Sequence, residues 1–294
     1  MPIFSNKLNV IANNTNSYLK SFLLKQKNNS YLLNPMKYGI FSGGKRFRSA
    51  IVVNTGKIFN IDYKKLIIIG SAIECIHSYS LIHDDLPSMD NDELRRGKLA
   101  VHKKFNEFTA ILAGNSLLTL AFEILSGNDL KLSSNCKNQL IKTLSTCAGH
   151  SGLAGGQYSD LTFENKNILK KNIITMQKKK TGELFGFCCE CIAIAKGLNP
   201  AKRKKLKEIG INIGLLFQIV DDLIDYRGDS TIVGKPTKGD QKKGKATLVS
   251  LLGYEKTMDF TINLKKKIDK QIKKYGSKAN DLLHSVEFIL KREF

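Results

Sequence analysis

Asp84-Asp85-Leu86-Pro87-Ser88-Met89-Asp90 gathers three carboxylates in one short stretch, and Arg95-Arg96-Gly97 follows within one loop. Carboxylates this close repel one another, and guanidinium groups bind phosphate strongly. A divalent cation between the aspartates and a diphosphate, with the arginines on the remaining phosphate oxygens, satisfies both kinds of charge. Mg2+ suits oxygen ligands of this type. Alone, the cluster also reads as a solvated loop with surface ion pairs, which are common and weak. The pattern recurs, however. Asp221-Asp222-Leu223-Ile224-Asp225 ends a second apolar stretch, with Gln218 before it and Lys235, Asp240, Lys242, Lys243 and Lys245 after it. Two acid clusters, each trailed by cations, point to facing helix ends that share one multi-Mg2+ diphosphate site.

The elements that must carry these residues read as helices. From Asp62 to Leu86, Leu66, Ile69, Ile73, Ile76 and Ser80 share a face. Pro87 is expected to break this helix and leave the aspartates at its C-terminal end. That end is the negative pole of the helix dipole, where carboxylates are unfavourable unless a cation joins them. His77 lies two turns before Asp84 on the same side, so it faces the same cavity or is a hydrogen-bonded core histidine. Asn34-Pro35 reads as a helix start with proline at the first helical position, and that helix stops near Ser42-Gly43-Gly44. Lys45-Arg46-Phe47-Arg48 then opens the next helix, to about Phe59. A glycine break, a helix N-terminus and three cations make an anion site; a capped turn with surface lysines is the other reading.

Further helices are expected over residues 5–27, 106–126, 133–150, 165–196 and 203–226, and from Leu248 to the end with a turn near Tyr275-Gly276. Gly152–Gly156 reads as a glycine-rich break before Gln157 and Asp160; with no strand beside it, a dinucleotide-binding role fits poorly. Lys180-Thr181-Gly182 marks the change from basic to apolar sequence within residues 165–196, where a lysine either enters a site or snorkels to solvent. No stretch shows the alternation of a strand, so the chain is expected to be all-α.

The chain has 294 residues, 42% of them hydrophobic, enough for a substantial core. Lys plus Arg is 47 against 26 Asp plus Glu, a net +21, which favours anionic partners. Runs such as Lys178-Lys179-Lys180 and Lys265-Lys266-Lys267 lack the interleaved aromatics of single-strand nucleic-acid binders, so no nucleic acid is expected. The six cysteines have no histidine at zinc-ligand spacing and read as small buried hydrophobes in a reducing compartment. The N-terminus lacks a basic-then-apolar signal, and Glu74 interrupts the apolar run Leu66–Ile73. A cytoplasmic protein without a membrane span is expected.

Together the motifs resemble the trans-isoprenyl diphosphate synthases, most closely the bacterial farnesyl diphosphate type, over roughly residues 30–290. The resemblance rests on Gly43-Gly44-Lys45-Arg46-Phe47-Arg48, the two aspartate-rich motifs, Arg95-Arg96-Gly97, Gly156-Gln157 with Asp160, Lys180-Thr181-Gly182, Phe217-Gln218 and Gly244-Lys245. No one of these is decisive alone. The resemblance implies an isoprenoid synthase fold of about ten or more helices around a deep central cavity, a single polyprenyl synthase domain over residues 1–294, and a homodimer. It implies head-to-tail condensation of isopentenyl diphosphate with allylic diphosphates, dimethylallyl and then geranyl, using three Mg2+ ions. By position, Asp84, Asp90 and Asp221 would bind metal directly, and Asp85, Asp222 and Asp225 would hold its waters or neighbouring cations. Arg95, Lys180, Lys235 and Lys245 would grip the allylic diphosphate, and Lys45, Arg48, His77 and Arg96 isopentenyl diphosphate. Thr181 and Gln218 would face the developing carbocation. The loop Lys235-Pro236-Thr237-Lys238-Gly239-Asp240 departs from the family pattern.

Tyr79 lies five residues before Asp84, about 7.5 Å back along the helix. In the family, a bulky aromatic there, with the extra Pro87 and Ser88 in the first motif, marks the farnesyl-forming type. Tyr79, with Ser80 beside it, would form the floor that stops the growing chain; simple core packing is the other reading. Tyr79 argues against a geranylgeranyl diphosphate synthase. The second Asp-Asp-x-x-Asp argues against a terpene cyclase, and the complete motifs argue against a non-catalytic partner subunit. A basic helical nucleic-acid binder would leave the aspartates unexplained, since they repel phosphates without metal.

Overall fold

The computed structural model describes residues 2–25, 31–228 and 243–292. In chain order the α-helices are α1 (Pro2–Leu24), α2 (Leu33–Ile40), α3 (Phe47–Ile58), α4 (Tyr63–Asp84), α5 (Val101–Lys104), α6 (Glu107–Ser126), α7 (Ser134–Ala148), α8 (Leu153–Thr162), α9 (Lys170–Gln177), α10 (Glu183–Ala195), α11 (Pro200–Arg227), α12 (Leu248–Leu252), α13 (Tyr254–Ile272) and α14 (Asn280–Lys291). The expected all-α class with ten or more helices is met. The chain divides into two compact units, Met1–Val53 with Ile61–Ile141, and Asn54–Asn60 with Lys142–Phe294.

In the first unit α4 packs against α1, α2 and α6. It is buried on every face from Leu66 to Ile76, not only along the stripe read from the sequence. Such a helix belongs in a core. Asp62 caps it by accepting the Lys65 amide at 3.2 Å. Gly70 lets α3 come close, because a Cβ there would sit 3.1 Å from the Ser49 backbone. The Ser49 amide then donates to Glu74 at 3.1 Å.

α4 ends at Asp84, two residues before the expected Leu86. The loop folds back and supplies the N–H groups the last turn lacks. The amides of Asp90, Asn91 and Asp92 donate to the carbonyls of Asp84, Leu86 and Asp85 at 2.9, 3.0 and 3.2 Å. Pro87, which has no N–H to continue the ladder and disfavours a helical Leu86, lies just past this stop, as expected. Leu94–Arg95 (β1) pairs antiparallel with Lys98–Leu99 (β2), a ladder the sequence reading did not foresee. Arg96 and Gly97 turn it with φ of +55° and +74°, both positive, as a two-residue hairpin favours.

In the second unit α10 and α11 meet along a seam of glycines. A Cβ on Gly214 would lie 2.8 Å from Gly182 Cα, and one on Gly210 would run into the Phe185 carbonyl. Residues 165–196 are not one regular helix: Lys178–Gly182 form a π-turn between α9 and α10. Nor is Gly152–Gly156 a simple break. α8 starts at Leu153, and Gly156 is bare because a Cβ there would lie 2.5 Å from Lys180 Cα. α2 starts at Leu33, which makes Pro35 its third residue.

Cys75, Cys147, Cys188, Cys189 and Cys191 are buried free thiols, and burial pushes Cys189 up to about 12. By length and composition, α4 and α6 are apolar enough to cross a membrane; 83% and 44% of their apolar windows are buried in this structure.

Candidate active site

The first unit holds a cationic corner. Gly43 and Gly44 have φ of +113° and +104°, a backbone that β-carbon residues rarely adopt. Arg96 lies over Gly44, donates to the Gly43 carbonyl, and would collide with any Cβ on Gly44. Within Lys45-Arg46-Phe47-Arg48 the cations divide. Arg46 turns inward at 3% exposure, 3.8 Å from Glu74, and its Nε donates to Asn16 at 2.8 Å. It is a structural cation. Lys45 is exposed and Arg48 buried at the start of α3. Burial, then Arg48, Arg96, Arg46 and Arg95, hold the His77 imidazole well below its ordinary 6.5. Three residues expected to grip one substrate, Arg48, His77 and Arg96, thus share one field.

Beside it stands the first acid cluster. Asp85, 2% exposed, accepts Arg95 Nε at 2.8 Å and a second Arg95 nitrogen, and Arg95 also reaches Asp92 at 3.2 Å. Asp84 and Asp90 are more open to solvent. Tyr79 is 9% exposed and meets His83 edge-on, with ring centroids 5.6 Å apart. His83 Nε2 donates to the Ile111 carbonyl at 3.0 Å and occupies the space a Cβ on Gly114 would need. Burial, then the charge of Asp84, raises the Tyr79 hydroxyl, which ties this ring to the acid end of α4. The Ser80 hydroxyl is turned back to the His77 carbonyl at 2.9 Å.

The second unit holds a pocket lined by Asp160, Met176, Gln177, Lys180, Gln218 and Asp222, with Lys245 to Thr247. The bare Gly156 brings α8 onto the π-turn, so Asp160, one turn later, reaches Lys180 Nζ at 2.6 Å. The same carboxylate takes Lys245 Nζ at 3.1 Å. Burial alone would raise the Asp160 carboxyl, but Lys180 and Lys245 bring it below its ordinary 3.8. The glycine seam brings Thr181 to Gln218, and its hydroxyl donates to Gln218 Oε1 at 2.7 Å. Gln218 Nε2 donates to Asp222 at 2.8 Å, and Gln177 Nε2 donates to the other Asp222 oxygen at 2.6 Å. Thr181, Gln218 and Asp222 are therefore one hydrogen-bonded chain beside two lysines.

Asp221 and Asp225 lie one turn apart on α11. Asp221 pairs with Arg292, whose guanidinium stands 4.4 Å from the Phe217 ring centroid. Lys235 lies outside the described residues. Among the described residues no three His, Cys, Asp or Glu side chains gather closely enough to enclose a metal. Mg2+ does not need such a cage, since it commonly takes one or two carboxylates, waters and substrate phosphates.

In the sequence Asp160 stood out only as part of a motif, with no role of its own, and Gln177 did not stand out at all. Asp160 was legible from its spacing: four residues after Gly156, it shares that glycine's face. Gln177 left only the weak signal of a polar residue ending an otherwise buried helix edge.

The family model for polyprenyl synthetase matches residues 29–286. The chain belongs to the polyprenyl synthetase family. It is 42% identical to the farnesyl diphosphate synthase of Micrococcus luteus over 226 residues, 77% of each chain. The apo crystal structure of an FPP/GFPP synthase from Zymomonas mobilis superposes with a TM-score of 0.88 at 38% identity, covering 98% of this chain and 100% of that one. A geranyltransferase from Helicobacter pylori, crystallised with magnesium and isoprenyl diphosphate, gives 0.81 at 30% identity, covering 97% and 96%.

Proposed function

We infer that this polyprenyl synthetase is a prenyltransferase that joins isopentenyl diphosphate head-to-tail to dimethylallyl and then geranyl diphosphate, ending at (2E,6E)-farnesyl diphosphate. The observation that carries the reading is the pocket in which Asp160 holds Lys180 and Lys245 beside Asp222, Gln218 and Thr181. The farnesyl diphosphate synthase relatives support the substrate class and product.

The donor set fits Mg2+. Its oxygens are hard ligands, and the buried carbonyl oxygen of Gln177 has no partner among the described residues. Asp84, Asp90 and Asp221 would hold the metal, and Asp85, Asp222 and Asp225 its waters or flanking cations, for three ions in all. When bound, Mg2+ neutralises charge on the leaving diphosphate. The protein's own part is binding and orientation. Lys180 and Lys245, with Arg95 and Lys235, would grip the allylic diphosphate through charge-assisted hydrogen bonds as its carbon–oxygen bond breaks and the electron pair leaves with oxygen. Lys45, Arg48, His77 and Arg96 would hold isopentenyl diphosphate so that its alkene attacks the allylic carbon and a proton then passes to the departing diphosphate. The Thr181 hydroxyl already donates to the Gln218 carbonyl, so its oxygen lone pairs remain to face positive charge on carbon.

We further propose that residues 1–294 form a single polyprenyl synthase domain, and that the protein works as a cytoplasmic homodimer without a membrane span. Phe108, Ile111 and Leu112 form an exposed apolar stripe on α6 that supports the dimer. Geranylgeranyl diphosphate is the alternative product, and Tyr79 argues against it. Mg2+-dependent release of diphosphate from geranyl plus isopentenyl diphosphate, run beside an RNA gel-shift, tests the reading. Release without an RNA shift is expected; an RNA shift without release overturns it.

A further inference from the structure

We propose that Gln177 is a positioning residue that orients Asp222 and accepts a hydrogen bond from a metal-held water. The proposal deepens the metal-diphosphate reading above and rests on it. Gln177 ends α9 at 2% exposure and lines the pocket with Lys180, Gln218 and Lys245. Its Nε2 donates to Asp222 Oδ2 at 2.6 Å, while Gln218 donates to Oδ1 at 2.8 Å. Asp222, 3% exposed, is thus clamped at both oxygens by amides. A carboxylate can only accept, so the Gln177 nitrogen must face it and the carbonyl must point elsewhere. That carbonyl is buried with no partner among the described residues.

A buried acceptor without a donor is costly, and one that lines a pocket is met by a water, an ion or a ligand. Lys180 and Lys245 are engaged by Asp160. Neither ammonium group is thus left for the Gln177 carbonyl, and the donor that comes with the metal is water, since Mg2+ usually retains several waters. Gln177 would then fix Asp222 from one end of its amide and receive the ion's hydration shell at the other. Outer-shell partners of this kind change metal affinity about tenfold to a hundredfold.

The test is thermal unfolding of the full chain at fixed inorganic diphosphate while Mg2+ is titrated. The wild type should be stabilised along a saturable curve. Gln177→Leu removes donor and acceptor, and Gln177→Glu sets a second carboxylate against Asp222. Each should raise the Mg2+ midpoint about tenfold or more. Gln177→His keeps one donor and one acceptor on its ring and should stay within about threefold. Midpoints for Gln177→Leu and Gln177→Glu equal to wild type overturn the proposal, as does Gln177→His weakened as much as Gln177→Leu, since packing alone would explain that. If Gln177→Leu does not fold, Gln177→Glu against Gln177→His decides. A wild type that Mg2+ and diphosphate do not stabilise overturns instead the metal-diphosphate reading beneath it.

Discussion

Replacing Asp160 by Asn removes one charge from the pocket and keeps its shape. The carboxylate lies 2.6 Å from Lys180 Nζ and 3.1 Å from Lys245 Nζ, with side-chain exposures of 7%, 21% and 9% for the three groups. Removing one partner of a fully buried pair costs about 3–5 kcal/mol. Here the asparagine carbonyl still accepts one hydrogen bond and Lys180 reaches water, so about 2–3 kcal/mol of stability should be lost without ligand. The assay is urea unfolding, read as a lower midpoint at unchanged slope. Inorganic diphosphate offers the two ammonium groups another anion, so it should stabilise Asp160→Asn more than wild type and narrow the gap. The folded-state pKa of Asp160 is depressed, so its contribution is present above the ordinary 3.8 and lost as pH falls through the folded value. The gap should hold from neutral pH to about 4 and close only below that. Equal midpoints at neutral pH, or a gap that diphosphate leaves unchanged, would refute the reasoning.

Tyr79→Ala should let products longer than farnesyl diphosphate accumulate on product analysis; farnesyl diphosphate as the unchanged end point removes Tyr79 as the floor. Gly114→Ala puts a methyl group where the His83 ring sits, and should cost about 1–3 kcal/mol. His83→Ala should relieve part of that loss, and strict additivity of the two in urea unfolding contradicts the contact. The His77 imidazole, held low by burial and four arginines, should stay neutral through pH 6.5 by NMR and begin to titrate higher when inorganic diphosphate is added. Because its folded pKa is depressed, His77 lowers stability as pH falls below 6.5, and His77→Asn should flatten that slope. An imidazole titrating at 6.5 in the ligand-free protein removes the cationic corner.

The acid clusters were legible because charge ending an apolar helical run is visible in composition alone. What the sequence hid depended on partners distant in the chain. α4 stops two residues short of Leu86, where amides from Asp90 to Asp92 return to the carbonyls of Asp84 to Leu86, and no spacing announces that. Gly156 looked like a break, yet inside a helix its lack of a side chain marks close approach, here of Lys180. Arg46 is indistinguishable from Lys45 and Arg48 as a string, and only Glu74 and Asn16 show it to be structural. The π-turn at Lys178–Gly182 has no compositional signature, although it sets where Lys180 and Thr181 sit.

Product chain length measures the central claim most directly. Purified protein given isopentenyl and geranyl diphosphates with Mg2+ should form farnesyl diphosphate as its end product, and chelation of the metal should stop it. Condensation that continues after chelation, or no prenyl product with Mg2+ present, contradicts the account.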